Sequence, residues 1–128
     1  MEKTKGTKGI FIDPWASIIK EVILPPNHKI SDIHNIIEAR HFDVLPLNKI
    51  GDGIYVDDEG LFRDFKCPWI ANTDWGRSPL VNKGLILGCD EEGETISVME
   101  SFAKIKERIK FGMDAFKGYL REEKQNAH

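Results

Sequence analysis

Cysteine is scarce in this 128-residue chain, occurring only as Cys67 and Cys89. Two thiols cannot form the multi-bridge framework that staples small secreted domains, so reduced thiols and a cytoplasmic setting are expected. The histidines His28, His34, His41 and His128 are scattered and no CxxC spacing occurs, which argues against a zinc centre. Long apolar runs are missing as well. SIIKEVILPP and GLILGC are interrupted or far shorter than the ~20 residues needed to cross a bilayer. The lysine-bearing start passes through Phe11 and Ile12 and meets Asp13, a pattern that predicts neither a signal peptide nor a membrane partner. Walker, dinucleotide-fold and G-x-S-x-G motifs are absent, and the glycines stand singly. No cofactor and no catalytic residue are therefore expected.

A strong charge of one sign is also lacking. The net charge is −3, divided as +2 over residues 1 to 12, −7 over 13 to 99 and +2 over 100 to 128. An acidic body with mildly basic ends offers no basic face for a phosphate backbone, so nucleic acid is a disfavoured partner. Mimicry of DNA by surface carboxylates needs an extended acidic stripe, and here Lys20, Lys49, Arg63 and Lys83 interrupt it.

With 41% hydrophobic and 30% charged residues, the chain has the balance of one globular domain. Residues 1 to 8 read as a tail and 9 to 98 as an α+β core. GIFID and SIIKEVIL, separated by a Pro-Trp turn, predict an antiparallel hairpin. KISDIHNIIEAR then changes period: Ile30, Ile33, Ile36 and Ile37 share a helical face, with Ser31 as the expected cap. HFDVLPLN, DGIYVD and KGLILGC read as further strands, and Pro46 marks an edge or a bulge. The fold class expected is α+β: a mostly antiparallel sheet of five or six strands, a short helix after the first hairpin, and a long C-terminal amphipathic helix. That helix is expected over 99 to 128, packed on the core with a frayed end. Its apolar positions Phe102, Ile105, Ile109, Met113, Phe116 and Leu120 recur at spacings of three and four.

Two acidic stretches echo one another, GIYVDDEG at 53 to 60 and ILGCDEEG at 86 to 93. Each reads as a strand running into a tight turn, with Gly60 and Gly93 supplying the positive φ. The chemical alternative is that Asp57, Asp58, Glu59, Asp90, Glu91 and Glu92 converge on a cation or an acid/base pair, as in a metal-dependent hydrolase. Contiguous carboxylates at a strand end point in different directions, so neither stretch can wrap an ion alone. His34 and Glu38, four residues apart on the short helix, could form a metal pair, though an exposed hydrogen-bonded pair is commoner. Cys67 has only Lys66 beside it and reads as an inert thiol.

IFIDP, GDGIYVDDEGLF and PLVNKGLILGCDEEGETI together resemble a small domain family of unknown function found largely in bacteriophages and mobile elements. The resemblance covers about residues 9 to 98. It implies a phage-encoded accessory protein in the cytoplasm of an infected bacterium, and it implies no activity, cofactor or catalytic residue.

Between the two acidic strands lie about twenty residues without sustained period, read as a loop over 63 to 83. Trp69 and Trp75 offer flat faces, Asn72 and Asp74 polar handles, and Arg77 an anion clamp. These residues either cover the core or form a contact site. The expected function is a non-catalytic accessory protein that binds and modulates a host protein, or associates with itself. The loop would be the contact, together with Phe116, Tyr119 and Leu120 on the second half of the long helix. The alternative is a nucleotide-sequestering protein that stacks a base on Trp75 and holds phosphate with Arg77.

Overall fold

The computed structural model describes residues 6 to 63 and 66 to 112. The expected first hairpin is present: β1 (Thr7–Asp13) pairs antiparallel with β2 (Ile18–Leu24) along its whole length. Helix α1 (Ile30–Ile37) follows. It starts before Ser31, because the Asp32 carboxylate reaches back to accept from the Lys29 backbone N–H at 2.8 Å and satisfies an otherwise orphaned donor. Then come β3 (Phe42–Pro46), β4 (Asp52–Asp57) and a single 3-10 turn (Gly60–Phe62).

The described residues of the 63 to 83 stretch do not form one loop. They contain β5 (Pro68–Thr73) and β6 (Gly76–Val81), an antiparallel hairpin. After β7 (Gly84–Cys89) and the two-residue β8 (Thr95–Ile96), helix α2 (Phe102–Arg108) ends after seven residues and passes into β9 (Ile109–Phe111). The uninterrupted helix expected across this stretch is thus corrected within the described residues. Ile109 and Phe111 serve a strand, and Ile109 pairs with Ala71 on β5. The second half of that expected helix, with Phe116, Tyr119 and Leu120, lies outside the described residues.

The class is α+β and the described strand pairs are antiparallel, but the strands form two sheets rather than one. The larger has six strands in the order β2-β1-β7-β4-β3, with β8 on the end of β7; the smaller has the order β6-β5-β9. Strand period explains the layers. Side chains alternate in direction, so Ile10, Ile12, Ile54, Val56 and Ile86 face the small sheet and α2, meeting Trp69, Ala71, Ile105 and Ile109. Leu85 and Leu87 of the same central strand point the other way, against Ile33 and Ile37 of α1. The large sheet is therefore the middle layer, with a separate core on each face.

Trp69 shows how tightly the layers meet. Its indole is fully buried and its Nε1–H donates to the Asn82 carbonyl at 2.8 Å. It lies against Gly84, where an added Cβ would come within 3.0 Å of the ring. A glycine at the start of β7 is what lets an indole fit between the sheets.

Candidate interaction surface

The β5–β6 hairpin turns through Asp74 and Trp75, with Thr73 paired to Gly76. Gly76 adopts φ 129°, the conformation that lets a chain leaving a tight turn rejoin its strand. The Thr73 hydroxyl donates to the Gly76 carbonyl at 2.7 Å and accepts from the Trp75 N–H at 3.1 Å, closing the turn locally.

Longer-range bonds then fix this tip to the body. The Asp74 N–H donates to the Leu47 carbonyl at 3.0 Å, and one carboxylate oxygen accepts from the Lys49 N–H at 2.8 Å. The other carboxylate oxygen receives the Arg108 guanidinium at 3.0 Å. Arg108 also donates to the Asn72 carbonyl at 2.8 Å and to both Glu100 oxygens at 2.9 and 3.2 Å. Behind it, Asn48 bridges Glu100 and the buried Asp52, at 2.8 and 2.9 Å. Asp52 in turn accepts from the Met99 and Glu100 N–H groups. Two turns, the 98 to 101 segment and α2 are thereby joined through charge-assisted bonds.

Electrostatics follow the geometry. The Lys49 N–H, and then Arg108, hold the Asp74 carboxyl below its ordinary pKa. Burial works against the Arg108 charge, but the bonds to Glu100 and Asp74 outweigh it and leave the guanidinium above its usual value. With their oxygens committed to these bonds, Asp52 and Glu100 serve as structural anchors, which suits neither a nucleophile nor a general base.

On this frame Trp75 is 60% exposed. Ile50, next to Lys49, and Met99, next to Glu100, are exposed as well. Arg77 is exposed on β6 opposite Asn72 and is itself engaged. The structure thus brings Asn72, Asp74 and Trp75 together at the tip, with Arg77 just behind. Trp69 is removed from the surface, because its side of β5 faces the core; as a contact residue it is corrected. The anchors Asn48, Asp52, Glu100 and Arg108 were not apparent in the sequence.

The acidic stretches are turns, and they sit at opposite ends of the large sheet. Val56 pairs with Gly84 and Asp52 with Gly88, so β4 delivers Asp57 to one end while β7 delivers Asp90 to the other. Five paired residues at ~3.4 Å each separate them by some 17 Å, too far to share an ion. Asp90 caps its own turn, accepting from the Glu92 and Glu94 N–H groups, and Gly93 takes φ 85° as expected. Gly60 does not take a positive φ; the chain enters its 3-10 turn there instead. The carboxylates of Asp57, Asp58 and Glu59 lie within 4.8 Å of one another. Asp57, however, already accepts from the Glu59 N–H and from Arg63, both at 2.8–2.9 Å, and the same contact raises the Arg63 pKa.

The remaining sequence candidates are accounted for by local partners. His34 bonds the Ala39 carbonyl through Nδ1 and packs on Phe42, while Glu38 pairs with Lys83. Burial, and then Asp13, push the Cys67 thiol up, away from thiolate character. Among the described residues no helix is long and apolar enough to cross a membrane. No protein-family model matches the chain, and searches of curated proteins and of solved structures likewise return no match.

Proposed function

We propose that this protein is a non-catalytic binding protein whose anchored Trp75 turn is the contact for another protein. The observation that carries the reading is a large indole left 60% exposed on a turn held by three long-range bonds, to Leu47, Lys49 and Arg108. Exposed aromatic surface costs solvation in the free protein, and tryptophan is enriched among interface hot spots. Holding its backbone in advance removes part of the ordering cost that binding otherwise incurs. The resemblance over residues 9 to 98 supplies the setting: an accessory protein of phage origin acting on a host protein in the bacterial cytoplasm. A hairpin tip suits this role better than nucleotide binding, which uses a concave site to bury its ligand.

Affinity capture from infected cells tests the reading. Wild-type protein and Trp15→Ala are expected to retain the same specific partner, and Trp75→Ala to lose it. Equal retention by Trp75→Ala and by the Trp75→Ala, Arg77→Ala double variant would dismiss the turn as the contact.

A further inference from the structure

The fold separates charges that are interleaved along the chain. Residues 66 to 83 and 100 to 112 supply the small sheet and α2, and together they carry a net +4. Residues 6 to 62 and 84 to 99 supply the large sheet and α1 and carry −8. Residues 113 to 128 add no net charge. The two layers are thus of opposite sign, and the Trp75 turn belongs to the basic one.

The basic excess is at the surface. Arg108 is committed to Asp74 and Glu100, and Lys83 to Glu38. Lys104 on α2 and Lys110 on β9 are exposed, and neither forms an ion pair among the described residues. Both are placed by the elements that hold the turn. Arg108 reaches from the end of α2 to Asn72 and Asp74, and Lys104 lies one helical turn before it on the same face of α2. Register sets Lys110 opposite Ile70 and Arg77 opposite Asn72. Ile70 and Asn72 are two apart on β5, so Lys110 and Arg77 stand on the side of the small sheet away from Trp69 and Ala71.

We propose that the partner of the Trp75 turn is an acidic protein surface, met by the basic layer through Lys104 and Lys110. The proposal rests on the reading of Trp75 as a protein contact and adds the chemistry of the partner. Complementary charge around an aromatic anchor speeds encounter and sets orientation, while the anchor supplies affinity. The acidic layer repels the same partner, so the protein accepts it from one side only. An acidic protein patch fits this division better than a nucleic acid does. A nucleic-acid backbone carries one charge every ~1.7 Å along its length and is repelled by the acidic layer wherever it runs past the basic one.

Fluorescence anisotropy on the purified full chain tests this, with labelled poly-L-glutamate as one probe and a single-stranded DNA of equal charge as the other. The double variants Lys104→Glu, Lys110→Glu in the basic layer and Glu91→Lys, Glu92→Lys in the acidic layer are compared with wild type. All four substitutions fall on exposed side chains, and circular dichroism checks that each variant is folded. Wild-type protein is expected to bind poly-L-glutamate at low salt and to release it as salt rises. The basic-layer variant should bind at least ~10-fold more weakly, and the acidic-layer variant no more weakly than wild type. No binding of poly-L-glutamate, equal binding by the basic-layer variant, or tighter binding of the DNA than of poly-L-glutamate would each overturn the acidic protein partner. None of those results depends on Trp75. Capture of a protein by wild type and its loss in Trp75→Ala would still stand, so the two readings fail separately.

Discussion

Two hairpins of this protein end in an exposed tryptophan, and they are built differently. Trp15, 53% exposed, sits on the β1–β2 turn, where the Asp13 carboxylate accepts from the Trp15 and Ala16 N–H groups at 3.0 and 3.4 Å. Those bonds span three residues or fewer. Trp75, 60% exposed, sits on a turn whose Asp74 is joined to groups 25 to 34 residues away. Similar exposure thus accompanies local closure in one case and long-range anchoring in the other. Exposure alone therefore does not mark a contact: an indole whose backbone is already fixed loses less freedom on binding.

The largest effect expected separates both from the third tryptophan. Trp69→Ala removes a fully buried indole and its bond to Asn82, and should cost about 4 kcal/mol in a urea titration. Arg108→Ala comes next. It leaves the nearly buried Glu100 without its cation and frees Asp74 from α2, so a loss of about 3 kcal/mol is expected. Hydrogen exchange should also rise at the Trp75 turn in this variant and stay unchanged at the Trp15 turn. An equal rise at both turns would show that Arg108 does not hold the Trp75 turn.

Acid should loosen the same anchor. Asp74 has a folded-state pKa below its unfolded value of about 3.8. Its contribution is therefore complete above that value and is lost as pH falls through the lower folded pKa. The Lys49 amide, which donates to this carboxylate, should keep its chemical shift from neutrality down to about that pH and titrate only below it. Smallest of all are the stability effects of Trp15→Ala and Trp75→Ala, each within about 0.5 kcal/mol of wild type, because neither side chain is core. Near-neutral stability is what allows a binding defect in Trp75→Ala to be read as loss of contact.

The first hairpin, α1, β4 and β7 were legible in the sequence because β-branched alternation and a clean 3.6-residue face mark them. The β5–β6 hairpin was not. Its turn reads Thr-Asp-Trp-Gly, without the Asn-Gly or Asp-Gly pair that signals a two-residue loop, and Pro79 lowers the strand signal of β6. The C-terminal assignment failed at Ile109 for a related reason. Ile105 and Ile109 are four apart, which suits a helix, yet Ile109, Lys110 and Phe111 also alternate buried, exposed and half-buried as a strand does. Pairing with β5 decides between them, and no local pattern reports it. Of the candidate site, the aromatic and polar character of the Trp69 to Arg77 stretch was visible. The anchoring of Asp74 by Arg108 was not, since 34 residues separate them and only the fold brings them to 3.0 Å.

Site-specific photo-cross-linking decides whether the anchored turn, and not the locally closed one, is the contact. A benzophenone amino acid would replace Trp75 in one version of the full chain and Trp15 in another, each irradiated in infected cells and resolved by mass. A discrete adduct, with a second copy or a host protein, is expected from position 75 and only background from position 15. Equal adducts from both positions, or a discrete adduct from position 15 alone, would contradict it.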